Sequence, residues 1–335
     1  MINAATAVGA FVLCAAPDVV RAFSGRLELE PHYHDLDPKD AQALAAMRAS
    51  MNAQKGKYMG VDARPAFEKQ KLGVQAAADV RTEVGEVGGV LGWWCRPSNP
   101  RTDAALIYHH GGWYMLGTAK AFCNQVSHFA ALTRSNTFIP DYRLAPEARF
   151  PAAYDDAVAA YRGLATSGLR KIVLAGDSVG GALSLLVLVA AAADPSLATK
   201  PLGAVAMSPT TDLTLSGESM RSRAEADPIF TRDMVAQFVD AYLAGNDASD
   251  PRASPLFADL RKLAPVRIDV GEDEILLDDA VRFAERAAAA GVKVSLDVWA
   301  GMPHTFQAMI GKLDAASKAV QAETAFLNRL LDEDI

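Results

Sequence analysis

The chain has 335 residues, 50% of them hydrophobic and 22% charged, with a formal net charge of -7. These proportions exclude a disordered chain, and the acidic balance argues against a nucleic-acid partner or a general attraction to anionic membrane. Three cysteines (Cys14, Cys95 and Cys123), none in a metal-binding spacing, exclude a disulfide framework and fit a reducing compartment.

Residues 4–20 are apolar and rich in small side chains, but no Lys or Arg precedes Arg21 and the run ends at Pro17 and Asp18. That is short for a membrane span and lacks the charged leader of an export signal. The expectation is a cytoplasmic protein with no stable membrane insertion, whose first segment is a helix that joins a lid. A helix is predicted over 37–51, with Asp37 or Asp40 as its cap, and then a polar, less regular block over 53–73. Stretches 80–87 and 89–95 read as a hairpin broken by Gly85 and Gly88. Strands then follow at 104–109, 137–142, 171–175 and 202–207, alternating with helices at 119–132, 152–164 and 180–193. This rhythm predicts an α/β fold, a mostly parallel sheet with crossover helices on both faces.

The rhythm stops over 213–253, where a polar loop precedes a helix at 232–243 and no strand is evident. It resumes with a strand at 266–270, a helix at 278–290, a strand at 292–299 and a last helix at 313–331. The predicted division is a helical cap segment over 1–75, a first core part over 76–212, a cap insertion over 213–253 and a second core part over 254–335. An insertion between strands of an open sheet belongs over their C-terminal ends, where such sheets place their sites.

Gly176-Asp177-Ser178-Val179-Gly180 lies between a compact apolar strand and a helix. A sharp turn there needs glycine on both sides, Gly176 and Gly180, to lift a nucleophilic Ser178 clear of the backbone. The helix start then aims free N–H groups at the place where negative charge develops. Asp177 adjoins the serine on the same turn and reads as a structural or pocket-shaping residue. His110-Gly111-Gly112-Trp113 directly follows the strand at 104–109, so the backbone N–H groups of Gly111, Gly112 and Val179 are the candidate oxyanion donors. His110 is expected to orient that loop, and His109 to lie buried at the strand end.

His304 is the one histidine after Ser178, on a loop past the strand that ends at Trp299. It is the candidate general base. The acid belongs after the strand at 266–270, where Glu272, Asp273, Glu274, Asp278 and Asp279 are all near. Composition does not choose among them, although Asp278 and Asp279 also read as caps of the next helix.

Together these motifs resemble the bacterial hormone-sensitive-lipase-like esterases of the α/β-hydrolase superfamily. The resemblance runs from about residue 87 to the end. His110 to Gly112 is similar to that family's HGGG, Asp141 to Glu147 matches its DYRLAPE, Gly176 to Gly181 is similar to its GDSAGG, and Met302 to Phe306 matches its histidine motif. The family's acid motif has the spacing of Glu274 to Asp278, so the resemblance implies Glu274 as the acid, with Asp273 as its rival. Trp113 stands where the family has its third glycine, which implies a narrower acyl or alcohol pocket. Arg143 and Glu147 are expected as buried or half-buried scaffold behind the oxyanion loop.

The resemblance implies a serine carboxylesterase with a small ester substrate of short to medium acyl chain. A lactonase or amidase would use the same residues. No HExxH, Walker A or dinucleotide fingerprint occurs, so neither metal nor organic cofactor is expected. A homodimer is expected through an exposed edge strand at 292–299.

Overall fold

The computed structural model describes residues 29–57, 60–197 and 199–333. The expected helix over 4–20, with Cys14, lies outside them. Nine strands form one sheet: β1 (His32–His34), β2 (Val80–Val87), β3 (Val90–Pro97), β4 (Ala104–His109), β5 (Asn136–Pro140), β6 (Lys171–Asp177), β7 (Pro201–Met207), β8 (Val266–Gly271) and β9 (Val294–Trp299). Their spatial order is β1-β9-β8-β7-β6-β4-β5-β3-β2. Pairing is parallel from β1 through β5, and antiparallel where β3 meets β5 and β2.

The helices are α1 (Pro38–Asn52), α2 (Arg64–Leu72), α3 (Ala119–Thr133), α4 (Ala152–Ala165), α5 (Val179–Ala193), α6 (Ser219–Ser222), α7 (Arg232–Leu243), α8 (Leu277–Ala289) and α9 (Asp314–Asp332). The central strands carry apolar side chains on both faces because helices cover both. On β4, Ala105 and Ile107 join the core with α4, α5 and α8, whereas Leu106 and Tyr108 join the core with α3 and α9. The two-residue period of a strand thus builds two hydrophobic layers from one run of sequence. No described helix is long and apolar enough to cross a membrane.

The N-terminal segment departs from expectation. The block over 53–73 is not irregular: it contains a 3₁₀ turn at Val61–Ala63 and helix α2. Pro65 fixes the helical φ at the start of α2, and Lys69 and Lys71 suit its C-terminal end. Nor is this region purely helical, since β1 pairs with β9 through His32–Asp297, Tyr33–Val298 and His34–Trp299. The edge expected to support a dimer is therefore already occupied, because β1 satisfies the backbone groups that β9 would otherwise expose.

Three capping expectations also resolve. Asp37 caps α1, accepting from the Lys39 N–H at 2.9 Å. Asp40 instead caps α9, accepting from the N–H groups of Asp314 and Ala315 at 2.8 Å each. Asp278 and Asp279 do not cap α8. Asp278 accepts from the Ser219 N–H, and Asp279 from those of Thr211 and Asp212, so the chain after β7 takes up both carboxylates.

Candidate active site

Ser178 sits at the turn between β6 and α5 with φ 58° and ψ -126°, a conformation that costs a non-glycine residue about 1–3 kcal/mol. The surrounding backbone holds it there. Its N–H donates to Met207 O at 2.8 Å, and its carbonyl accepts from Ala182 and Thr210. A Cβ on Gly180 would stand 2.1 Å from the His109 carbonyl oxygen, and one on Gly176 2.3 Å from the Gly180 carbonyl oxygen. Glycine is required at both places because the elbow and the end of β4 press against each other.

Asp177 joins the elbow to the loop after β4. Its Oδ1 accepts from the Tyr108 hydroxyl at 2.9 Å and from the Gly111 N–H at 3.2 Å. The Gly111 N–H, expected as an oxyanion donor, is thus paired with Asp177. Gly112 follows with φ 126°, where a Cβ would lie 2.2 Å from Leu116 O. The N–H groups of Gly112, Trp113 and Val179 donate to no other described residue.

Trp113 adopts φ 54°, a left-handed conformation that glycine takes freely and a bulky residue does not. Its buried ring is held by Phe238 (stacked, 5.4 Å) and Phe230 (edge-on, 5.4 Å), both from the segment between β7 and β8. Phe230 in turn meets His304 edge-on at 5.0 Å. An aromatic run therefore bridges the loop after β4 and the loop after β9.

His110 lies between Phe122 and Tyr142, and its Nδ1 is 2.8 Å from Gly111 O. The Tyr142 hydroxyl donates to His110 O at 2.6 Å, so the DYRLAPE block does brace the glycine loop from behind. Burial lowers the pKa of both histidines, that of His109 to about 3. His109 is buried at the end of β4 with its Nδ1 2.9 Å from Ser184 Oγ. Arg143 and Glu147 are not buried scaffold. Their side chains are 58% and 61% exposed, paired with Asp156 and Arg64 respectively. Charged heads at this surface keep their hydration while still tying neighbouring segments together.

Glu274 and His304 meet between the loops after β8 and β9. His304 Nδ1 is 2.7 Å from Glu274 Oε2, and both side chains are buried. Glu274 Oε1 accepts from the Gly271 N–H at 2.6 Å and from the Ser208 hydroxyl at 2.7 Å. Asp273 points elsewhere, pairing with Arg48 of α1. Glu272 pairs with Arg223. One residue of register on this tight loop decides which carboxylate reaches the imidazole.

Sequence reasoning missed Ser208. Its hydroxyl also accepts from the Thr305 N–H at 3.1 Å, so it links Glu274 to the residue after His304. The available signal was a small polar residue just past β7, the strand between those that carry Ser178 and Glu274. Asp227 was missed too. Buried, with its pKa raised by that burial, it accepts from Ile229, Phe230 and Ile275 N–H groups and so fixes Phe230 beside the acid loop.

Comparison with known proteins gives the family. Residues 106–308 match the family described as alpha/beta hydrolase fold. An esterase of Acinetobacter venetianus is 36% identical over 68% of this chain and 76% of its own. An acetyl-hydrolase of Streptomyces hygroscopicus is 34% identical over 76% of this chain and 84% of its own. Among solved structures, an esterase from the bacterial hormone-sensitive lipase family superposes with a TM-score of 0.81 at 34% identity, covering 89% of this chain and 100% of its own. A hormone-sensitive lipase from a metagenome library gives 0.82 at 33% identity over 89% and 99%. The chain belongs to the hormone-sensitive-lipase-like esterases of the α/β-hydrolase fold, and it is a serine carboxylesterase.

Proposed function

We infer that Ser178 is the nucleophile, His304 the general base and acid, and Glu274 the carboxylate that fixes the imidazole tautomer. The buried 2.7 Å contact between His304 Nδ1 and Glu274 carries this reading. With Nδ1 committed to the acid, Nε2 is the nitrogen left to take the Ser178 proton and return it to the leaving alcohol. Ser178 then attacks the ester carbonyl. The oxyanion is held by the N–H groups of Gly112 and Val179, with Trp113 as the next free donor on the loop. Water activated by His304 releases the acid and regenerates Ser178.

The segments over 29–75 and 213–253 act as a cap. Arg48 donates to Ala226 O and the Gly56 N–H to Ile229 O, which supports a single covering unit built from both. The packed Trp113, Phe230 and Phe238 rings, which reach His304, leave little room for a long chain beside it, which supports a preference for short to medium acyl chains. The free, buried thiols of Cys95 and Cys123 support a reducing, cytoplasmic setting.

A fluorophosphonate probe followed by peptide mapping tests the nucleophile. One label per chain on Ser178, together with a p-nitrophenyl ester series that peaks at butyrate or hexanoate, is the expected result. Labelling elsewhere, or a peak at palmitate, would overturn the corresponding part of the assignment.

A further inference from the structure

Strand β1 carries a second cluster of ionisable groups, distinct from the Glu274–His304 pair. His32 Nδ1 lies 3.0 Å, and His34 Nε2 2.7 Å, from the same atom, Oδ1 of Asp297 on β9. The three donor atoms all lie within 4.8 Å of one another. The parallel register sets this up: His32 stands opposite Asp297, and His34, two residues on, shares its face.

The surroundings prepare the carboxylate. Its other oxygen, Oδ2, is held by Arg267 at 3.0 Å, and Arg267 also pairs with Asp269 at 2.8 Å. Oδ1 is thereby left directed at the two imidazoles, and such outer hydrogen bonds are what orient metal ligands. The His34 ring lies flat on Trp299, 3.7 Å between centroids and 5° between planes. The His32 side chain is 69% exposed, so a cation has an open approach and room for water as a further ligand.

We propose that His32, His34 and Asp297 bind a divalent cation of the zinc class, which clasps β1 onto β9. Two imidazole nitrogens and a carboxylate oxygen form a donor set that such ions take. Each contacting nitrogen donates to Asp297 in one tautomer and offers its lone pair to a metal in the other. Tetrahedral bonds of about 2.0–2.2 Å put neighbouring donors roughly 3.3–3.5 Å apart, so the 3.0 Å and 2.7 Å contacts to Asp297 open by about 0.3–0.8 Å to admit the ion. The exposed His32 supplies part of that movement. The clasp adjoins the loop that carries His304: the Ala300 N–H donates to His34 O at 3.0 Å, and Trp299 contacts Phe306.

The test is calorimetric titration of chelator-treated, full-length protein with zinc chloride. The expected result is one site per chain, an affinity at least tenfold weaker in both His32→Ala and His34→Ala, and a zinc-induced rise in Tm of about 2 °C or more that both substitutions remove. Copper(II) should quench the Trp299 emission, and Trp299→Phe should remove that quenching while leaving zinc affinity in place. His32→Ala, at an exposed position, keeps its esterase activity and so reports on a folded protein even if His34→Ala does not fold. Absence of saturable zinc binding, or binding that both histidine substitutions leave unchanged, would overturn the proposal.

Discussion

The elbow and the proposed cap are held in different ways. Around Ser178 the constraints are backbone against backbone: Gly176, Gly180 and the end of β4 approach so closely that a single methyl has no room. The segments proposed as a cap are held by long side chains reaching carbonyl oxygens. Arg48 reaches Ala226 and Gly301, Lys55 reaches Ala224, and Arg64 reaches Met115 and Ala145. A close-packed backbone has one arrangement, whereas a guanidinium clamp on a half-exposed segment can be released and remade. The difference teaches that the proposed nucleophile sits in the steric part and the proposed cover in the clamped part.

Five substitutions sharpen or break that contrast. Ser178→Ala should lower kcat by at least about 10³-fold with far-UV circular dichroism unchanged, since the remaining residues act only together. A smaller loss in a preparation free of contaminating esterase would break the assignment. Glu274→Gln should cost about 10²–10⁴-fold in kcat through loss of the imidazole orienter, and at least tenfold more than Asp273→Asn, whose carboxylate meets Arg48. The reverse order, measured at saturating ester, would exchange their roles. Ser208→Ala removes one of the two donors to Glu274 Oε1, a buried acceptor. The expected loss is about tenfold in kcat, equivalent to about 1.4 kcal/mol, with KM nearly unchanged. Arg64→Ala, which unclamps α2 from the residues around Met115 and Ala145, should raise KM about threefold with little change in kcat. A large fall in kcat there would show that the cap takes part in the chemistry itself.

The sheet and its crossover helices were legible because their signals are local. Apolar runs at 104–109 and 171–175 and the glycines beside Ser178 state their own geometry. The helix at 232–243 was equally plain from its periodicity, and its bounds match α7. What could not be read were partners distant in sequence. Nothing near His32 announces that it pairs with a strand some 260 residues later. Nothing near Gly111 shows that its N–H is claimed by Asp177, and Asp278 looks like a helix cap until Ser219 arrives from the insertion. Arg143 and Glu147 were placed inside by motif alone, yet each finds its counter-charge at the surface. Glu274 was reached through the spacing of a resembling motif, because five carboxylates of one loop are chemically alike until a fold orients them.

The carboxylate of Asp40 has one more consequence. It lies in the first turn of α1 but closes the start of α9, accepting from two N–H groups near the far end of the chain. Swinging α1 away would strip the longest helix of its cap and expose the apolar seam among Leu44, Trp299, Phe306 and Ala316. Such a motion would cost about 0.5–2 kcal/mol for the lost cap alone. Helix α1 thus serves two neighbours at once, its Arg48 reaching the 213–253 segment while its Asp40 completes the start of α9.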